Sequence, residues 1–589
     1  MFASIKASRN AANWQMRFLT LIIVLLSFLF VISLFKNISY PLFWADEGST
    51  VMGGVRVLQF GYPKVHDGKN VYYELQHHDK TLGIDKKTDA YIGGASWGQY
   101  YVAALGVKLA EFTDNIYTKT RIIRTIFAFL GLTGIILFAL LGARFFPPGY
   151  SRKGFLALFL LIELLSVPLA LHLRDARYYA LTVFLTGLIV FVYAKYRILK
   201  DTRYPAYAVL SFILMILLFM TFSPAYFVFL GAIGIFETLA MAICPLRITI
   251  DDSRIENEQT FTWSAHLKTC LRNLLPCLLS LAAVSPLLVF FDTFNISKKL
   301  TEYYAWGYNT DASGLYIRNL SFFWDFFASH DLIYLAMIMK IMLLPSLLPG
   351  VIRDRRLPSS DAQKVIFSFF LSIVFIVYSL LIPKIPNPLF TRYIIPLQPV
   401  LALIIIMDSS VIFQSASRYR SGVMRYARHA VAVMFIIGIL VNVSNNWSSL
   451  RGHVFELTHR YQGPLDYVIP FIQGRFGKTD DLVIATNYEE TSYMYYLNAR
   501  VTVGYVGNNI EEDSLIQPDI MVYRGWWRNF RPFFEDFMQR HPYERISFPV
   551  PNHPVNNIPE LHHPVPLRHQ FQTLECGDEM IKAAVFIKK

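Results

Sequence analysis

The 589-residue chain is 54% hydrophobic and only 16% charged, which excludes an ordinary soluble protein and indicates many membrane-spanning segments. The formal net charge of +13 does not indicate nucleic-acid binding, because the basic residues fall in short clusters between apolar runs. The four cysteines show neither a structural pairing pattern nor the CxxC spacing of a metal site.

The first apolar run, residues 18–35, follows Lys6, Arg9 and Arg17, as the hydrophobic part of a signal peptide would. It is longer than the hydrophobic region of a typical signal peptide and lacks a small-x-small cleavage site. We therefore predict that it is retained as the first membrane span.

An acidic pair, Asp46 and Glu47, comes directly after this span in the stretch Trp44-Ala45-Asp46-Glu47-Gly48. Carboxylates this near to hydrocarbon are costly, and they usually face a cavity, a partner or a substrate. A structural alternative is that Asp46 caps a surface helix that continues to residue 58. We interpret the pair as the centre of a cavity that the rest of the chain builds.

Further candidate spans follow along the chain. About eleven segments approach the length of about 20 mostly apolar residues that a span needs, namely 18–35, 122–142, 154–171, 178–195, 206–222, 225–243, 272–291, 332–348, 365–382, 394–412 and 429–446. With the N-terminus in the cytoplasm, every clearly basic short loop falls on the cytoplasmic side, as the positive-inside rule requires. These loops carry Arg144, Arg152, Lys153, Lys195, Arg197, Lys200, Arg203, Arg353, Arg355, Arg356, Arg418, Arg420, Arg425 and Arg428. The sequence predicts a mostly α, polytopic helical bundle over residues 1–446.

The opposite side receives the remaining segments, which are the long first loop 36–121, the turn 172–177, the loops 292–331 and 383–393, and the tail. Residues 97–112 of the first loop carry apolar side chains at helical spacing and predict an amphipathic helix in the membrane interface. The aromatic loop 292–331 repeats this pattern.

The tail, residues 447–589, predicts a small extracytoplasmic α/β domain, because short apolar strands alternate with helices. We predict helices over 464–474, 491–497 and 530–539, and strands over 481–486, 500–503 and 518–523. Residues 549–566 are rich in Pro, Asn and His and predict an ordered loop or strap, in which His562 and His563 are structural.

Four polar groups lie on this predicted outer side, and the topology brings them to one membrane face. They are Asp46-Glu47, then Tyr72-Tyr73-Glu74 with His77-His78-Asp79, then His172-Leu173-Arg174-Asp175-Ala176-Arg177-Tyr178, and finally Arg392-Tyr393. Arginine binds phosphate oxygens through a planar fork, and a carboxylate can take the proton of an attacking hydroxyl. A lone arginine at a helix end would only snorkel to headgroups, but two arginines and an aspartate in one short turn favour a phosphate site. For Arg392 both interpretations stay open.

A divalent metal is an alternative role for the second group. Glu74 and His77 offer the carboxylate and imidazole ligands that suit Zn²⁺ or Mn²⁺. Their spacing is not diagnostic, and adjacent histidines do not readily bind one ion. We therefore favour a solvated loop there and expect no required cofactor.

In these motifs the chain resembles the integral-membrane glycosyltransferases of the C-type fold (GT-C) that use polyprenyl-phosphate sugars, in the bacterial branch that includes aminoarabinose transferase and protein O-mannosyltransferases. Matching elements are the Asp-Glu pair after the first span, Tyr73-Glu74, Ala176-Arg177-Tyr178-Tyr179-Ala180-Leu181, and Arg392-Tyr393-Ile394-Ile395-Pro396-Leu397-Gln398-Pro399. The resemblance covers the N-terminal two-thirds. Relatives of aminoarabinose transferase have Lys-Pro-Pro after the Tyr-Glu, whereas this chain has Leu75-Gln76-His77.

The resemblance implies a role for each candidate residue. Asp46 would be the general base in an inverting single displacement, and Glu47 would bind or orient the acceptor or hold Asp46. Arg174, Arg177 and Arg392 would neutralise the departing prenyl phosphate, and either Lys80 or an arginine would replace the missing lysine. The supporting residues would be Tyr73, Glu74, Tyr178 and Tyr393. The partners implied are a polyprenyl-phosphate-linked sugar, a glycan, lipid or protein acceptor, and membrane lipids.

Three alternatives stay open at this point. A transporter or flippase of polyprenyl-linked glycans also has many spans and intramembrane charges. A non-enzymatic scaffold would have no need of the carboxylates of the first loop. The same fold could also use a pre-assembled oligosaccharide donor. The resemblance implies the bacterial inner membrane, whereas the sequons at Asn295 and Asn319 would also suit the endoplasmic reticulum.

Overall fold

The computed structural model describes most of the chain, namely residues 2–72, 83–93, 97–243, 263–330, 332–353, 359–418, 422–503, 513–525, 530–552, 556–561, 568–577 and 580–589. The predicted site residues Tyr73, Glu74, His77 and Lys80 lie outside these residues, and so do His562 and His563. Their assigned roles therefore stay predictions.

The apolar segments form helices, as predicted. In chain order these are α1 (Phe2–Phe35), α2 (Ala45–Phe60), α3 (Trp97–Ala110), α4 (Ile116–Ala143), α5 (Tyr150–Leu165), α6 (Val167–Leu173), α7 (Tyr178–Arg197), α8 (Tyr204–Thr221), α9 (Ser223–Ile243), α10 (Trp263–Phe290), α11 (Thr293–Gly307), α12 (Ala312–His330), α13 (Ile333–Arg353), α14 (Ser359–Leu381), α15 (Gln398–Arg418), α16 (Gly422–Asn445) and α17 (Trp447–Thr458). In the described part of the chain, 8 helices are long and apolar enough to cross a membrane, or up to 11 spans if each of three bent pairs counts as one. The predicted polytopic helical bundle is confirmed.

One of the bent helix pairs lies in the third predicted span and sets the direction of the turn that follows it. Helices α5 and α6 meet at Ser166 at an angle of 79°. Pro168, at the start of α6, has no backbone N–H to continue the hydrogen bonds of α5. The short α6 therefore turns away from the line of α5 before the chain reaches the turn at 174–177.

Helices α4 and α7 approach each other closely because small residues line their contact. A Cβ added at Gly134 would lie 2.8 Å from the backbone of Phe184. Small residues at such contacts let membrane helices pack backbone to backbone. This contact fixes the start of α7, and with it the turn at 174–177, relative to α4.

Both long segments predicted as loops, 36–121 and 292–331, contain helices. Helix α3 forms where the amphipathic helix is predicted and leaves Tyr101, Leu105 and Leu109 exposed. Helix α3 packs on α2, where a Cβ at Gly54 would lie 2.8 Å from the Ala104 nitrogen. The aromatic loop 292–331 is almost entirely helical, since it forms α11 and α12.

The tail forms a mixed five-stranded sheet in the order β2-β1-β3-β5-β4. Its elements are α18 (Pro464–Phe476), β1 (Val483–Thr486), α19 (Glu490–Leu497), β2 (Arg500–Thr502), β3 (Ile520–Val522), α20 (Arg531–Arg540), β4 (Tyr543–Pro551) and β5 (Lys582–Lys588). Strands β1, β2 and β3 are parallel, whereas β5 is antiparallel to β3 and β4. The predicted small α/β domain is confirmed, but β4 and β5 were not predicted, and β4 takes the first residues of the predicted strap.

The sheet domain packs directly on the segment around Asp46. Ser492 of α19 donates to the Phe43 carbonyl at 2.6 Å, and Thr491 donates to the Ala45 carbonyl at 3.3 Å. A Cβ at Gly48 would lie 2.6 Å from Thr491 Oγ1, so glycine permits this contact between α2 and α19. The tail is therefore part of the wall around the acidic pair.

A buried ion pair, Arg524 with Glu489, holds the sheet domain together at this contact. Both side chains are buried, and the second Glu489 oxygen accepts from the Asn556 amide at 2.7 Å. Asn556 in turn donates to the Leu42 carbonyl at 2.8 Å. We expect Arg524→Met to lower the free energy of unfolding by about 3 to 5 kcal/mol, because it leaves a buried carboxylate without its partner.

Thermal and denaturant unfolding in detergent would measure this loss. The matched control is Arg531→Met, which removes an exposed ion pair with Glu535 and should leave stability unchanged. Equal losses in the two variants would contradict the expectation.

Candidate active site

The acidic pair lies in the first turn of α2. Trp44, in extended conformation, occupies the N-cap position, and no side chain caps the helix. The alternative that Asp46 is the capping residue is therefore wrong. Both carboxylates lie in the first turn, where the helix dipole favours negative charge.

The Asp46 carboxylate lies between two guanidinium groups. Arg392 Nη1 donates to Asp46 Oδ2 at 2.9 Å, and Arg177 Nη2 lies 3.6 Å from the same oxygen. Arg177 also donates to the Asp46 carbonyl at 3.0 Å and to Thr50 Oγ1 at 2.9 Å. The Asp46 side chain is 34% exposed, so it remains open to a ligand while the arginines hold it.

The two arginines come from segments that are distant in the sequence. In each segment, the local sequence turns the chain toward Asp46. Arg177 directly precedes α7 in the turn set up by α6. Arg392 lies on the short 3-10 helix Thr391–Tyr393 in the proline-rich segment before α15. The structure thus brings together three of the predicted groups, the acidic pair, the 172–177 turn and the segment at 392.

Aromatic rings surround the guanidinium groups. The Arg392 Cζ atom lies 4.1 Å from the ring centre of Phe390, 5.4 Å from that of Tyr393 and 5.8 Å from that of Trp44. The Arg177 Cζ atom lies 5.5 Å from the ring centre of Tyr178. These rings hold the cations by cation–π attraction.

Glu47 is completely buried and binds a different arginine from the two that contact Asp46. Arg124, near the start of α4, donates to its two oxygens at 2.7 Å and 2.5 Å, and the Ala176 amide donates to it at 2.9 Å. Burial opposes ionisation, but the charge and hydrogen bonds of Arg124 outweigh it and hold the pKa of the Glu47 carboxyl below its usual value. Of the roles predicted for Glu47, this geometry favours holding Asp46 in place.

Arg174 takes a different direction from Arg177, although both lie in one turn. It donates to the Lys36 carbonyl at 2.9 Å, and its Nη1 lies 3.7 Å from Glu456 Oε1. It lines a cavity of about 60 Å³ together with Trp44 and Glu47. Among the described contacts, Arg174 has none with Asp46, and its role at the donor phosphate stays a prediction.

Two residues at the site were not predicted from the sequence. Arg124 is one, although a basic residue near the outer end of a predicted span is a usable signal. Glu560 of the tail is the other: it accepts from the Thr391 amide at 3.1 Å and lies 3.8 Å from Arg392 Nε. Nothing in the composition around Glu560 indicates a contact with a segment 169 residues away.

Metal binding finds no support among the described side chains, where no group of three or more His, Cys, Asp or Glu residues could hold an ion. Glu74 and His77, the predicted ligands, lie outside the described residues.

The helices and the site define a polytopic membrane protein with an acidic and guanidinium centre at one end of its bundle. No family model and no curated protein matches the chain. Among solved structures it is similar to ArnT from Cupriavidus metallidurans bound to undecaprenyl phosphate, with a TM-score of 0.47 and 10% sequence identity over 98% of each chain. It is also similar to the apo state of ArnT from Cupriavidus metallidurans, with a TM-score of 0.44 and 12% identity over 92% of this chain and 97% of that one.

Glu560 should make stability depend on pH. Burial raises its pKa to about 7 from the ordinary 4.5, so the folded state keeps this proton where the unfolded chain has lost it. Below pH 4.5 Glu560 is protonated in both the folded and the unfolded state, so it adds no pH dependence to stability. As the pH rises from about 4.5 toward 7, the unfolded chain loses the proton first, and the free energy of unfolding therefore falls. In Glu560→Gln the share of this fall that Glu560 causes should disappear, so the variant should depend less steeply on pH than the wild type.

Denaturant unfolding of wild type and variant across this pH range would measure the effect. Glu535→Gln, on the exposed surface of α20, is the control and should follow the wild type. A stability difference between wild type and Glu560→Gln that stays constant with pH would refute the expectation.

Proposed function

We propose that the protein is a membrane glycosyltransferase of the GT-C type that transfers a sugar from a polyprenyl-phosphate donor to an acceptor hydroxyl. The observation that carries the proposal is the Asp46 carboxylate held between Arg177 and Arg392 at one end of a bundle of membrane helices. The residues come from three segments that share motifs with polyprenyl-phosphate glycosyltransferases. In keeping with that resemblance, we place the site on the outer face of a bacterial inner membrane.

The donor phosphate would bind the guanidinium groups. Arg177 and Arg392 each have a buried Nε atom with no hydrogen-bond acceptor among the described residues. A phosphate offers several oxygens and negative charge, so it can take these donors and also compete with Asp46 for the forks of both arginines. Donor binding would thus stabilise two buried cations and release the Asp46 carboxylate for chemistry.

Asp46 would then act as general base. The acceptor oxygen attacks the anomeric carbon from the face opposite the phosphate while Asp46 takes the hydroxyl proton. The new carbon–oxygen bond forms as the bond to phosphate oxygen breaks, which inverts the anomeric centre. The prenyl phosphate leaves with its electron pair, and the arginines neutralise the developing charge. Nothing in this step requires a metal, and the roles of Lys80 and Glu74 stay predictions.

Transport of a polyprenyl-linked glycan is the second candidate, because a charged pair lies among the spans themselves. Lys340 of α13 lies 3.0 Å from Asp408 of α15, and Ser368 of α14 donates to Asp408 at 2.6 Å. Ionisable groups among membrane helices commonly mark transport pathways. Transfer and transport differ in product, since only transfer releases prenyl phosphate.

We expect Asp46→Asn to lower the transfer rate by about 10²- to 10⁴-fold, the usual contribution of a general base. The substitution removes the base but keeps the size of the side chain, so binding of undecaprenyl phosphate should persist. The assay follows release of prenyl phosphate from polyprenyl-phosphate sugars in lipid nanodiscs, with cell-envelope glycans, lipids and proteins as acceptors. A second measurement follows undecaprenyl phosphate binding.

Arg392→Gln is the complementary variant and should weaken undecaprenyl phosphate binding, because it removes a guanidinium from the phosphate site. Lys340→Met, within the spans, should leave the transfer rate per folded molecule unchanged, because Lys340 contacts Asp408 and Ser368 rather than the Asp46 site. If Asp46→Asn retained most of the transfer activity, the assignment of Asp46 as the general base would be refuted. Movement of the donor across the bilayer without prenyl phosphate release would favour transport.

A further inference from the structure

The segment that carries Arg392 is held by one buried asparagine of α12. Asn319 is 1% exposed, and its side-chain amide makes three hydrogen bonds to the backbone of residues 383–389. Its Nδ2 atom donates to the carbonyls of Pro383 and Asn387, both at 3.1 Å. Its Oδ1 atom accepts from the Leu389 amide at 2.9 Å. A side-chain amide has two N–H hydrogens and one carbonyl oxygen, so both ends of this one are used.

These bonds replace a regular backbone pattern that the segment does not form. Pro383, Pro386 and Pro388 have no backbone N–H, and a proline also disfavours helix at the residue before it. After the 3-10 turn Ile382–Lys384, the chain enters no helix or strand until Thr391. A buried backbone group without a hydrogen-bond partner costs free energy. The asparagine of α12 therefore supplies partners that the proline-rich sequence cannot supply for itself.

The place of Arg392 depends on this anchor from both sides. Leu389 is followed directly by Phe390, whose ring centre lies 4.1 Å from the Arg392 Cζ atom. On the other side, the Asn387 side chain donates to the hydroxyl of Tyr393 at 2.8 Å. Both Leu389 and Asn387 are bonded to the α12 asparagine, so one side chain fixes the backbone on which the neighbours of Arg392 are carried.

We propose that Asn319 is a positioning residue, which holds the segment that directs Arg392 toward Asp46 and toward the phosphate of the sugar donor. Its effect on transfer rests on the proposed function, because it acts through Arg392. Its hold on the backbone of residues 383–389 does not depend on that function.

The buried amide also bears on the sequon Asn319-Leu320-Ser321. The pattern Asn-x-Ser is an acceptor for N-glycosylation, which places a bulky glycan at the protein surface. In the folded chain the Asn319 nitrogen is buried and bonded to two backbone carbonyls. The structure thus gives this asparagine a role inside the protein, and Ser321 offers a way to test the two roles separately.

Hydrogen–deuterium exchange tests the hold on the segment without any substrate. Asn319→Leu keeps a similar side-chain volume but has no amide, so peptides covering residues 383–393 should exchange about 10-fold faster than in the wild type. The matched control is Ser321→Ala, which removes the sequon and an exposed bond to Asp325 but keeps the asparagine. This control should exchange as the wild type does. Unchanged exchange in Asn319→Leu, or equal acceleration in Ser321→Ala, would overturn the proposal.

Transfer kinetics test the positioning role. Asn319→Leu should raise KM for the polyprenyl-phosphate sugar by about 10- to 100-fold with a smaller change in kcat, because Arg392 is displaced while Asp46 stays in place. Asn319→Asp can still accept from the Leu389 amide and should raise KM by less. If Asn319→Leu does not fold, Asn319→Asp decides, since its KM should still exceed that of Ser321→Ala. A lower apparent kcat with unchanged KM would indicate only a loss of folded protein and would contradict the role.

A double variant shows whether the effect passes through Arg392. In the background of Arg392→Gln, Asn319→Leu should change KM by less than about 3-fold, because the group that it positions is already gone. A full additional 10- to 100-fold rise would contradict the role. If the wild type shows neither transfer nor binding of undecaprenyl phosphate, the proposed function fails, and the exchange result alone decides whether Asn319 holds the segment.

Discussion

The bond between Arg124 and Glu47 is the constraint on which the candidate site depends. It ties the first turn of α2 to the start of a membrane helix, and Arg124 also donates to the carbonyls of Ile38 and Pro41, so it fixes the approach to that turn. Because Glu47 also accepts from the Ala176 amide, the same buried charge pair anchors the turn before α7. Asp46 and Arg177 are neighbours of these anchors, and their juxtaposition follows from them.

The site is a product of both halves of the chain. The membrane part supplies the carboxylates and arginines, and the sheet domain covers them through α19 and the segment at 556–561. Trp44 shows how closely the two are joined: it packs against Ile558 of the tail, bonds Asp175 through its indole N–H, and lies under Arg392. A single aromatic side chain therefore contacts the Asp175 carboxyl, the Arg392 guanidinium and the sheet domain at once.

Much of this architecture could be predicted from the sequence, and the failures have physical causes. The long apolar runs and three of the short strands could be predicted because their hydrophobic patterns are local in the sequence. The patterns of β4 and β5 are harder to recognise, since charged and proline residues lie in or beside these strands. Charge patterning also predicts that Asp46, Arg177 and Arg392 share one face. Charge patterning cannot predict that Arg174 and Arg177 bind different partners, because the directions of their side chains depend on how α6 and α7 pack. Glu560 escaped prediction since its contact joins segments that only the folded tail brings together.

The contact of Glu560 with Thr391 and Arg392 also has a consequence for biosynthesis. The spans can be inserted one after another as the ribosome delivers them, yet the centre is incomplete until Glu560 has reached Thr391 and Arg392. A nascent chain that stops within the sheet domain would be a fully inserted but unfinished protein. Assembly of the centre thus depends on a segment that follows all the described spans, which keeps the arginine cluster incomplete until the sheet domain has folded.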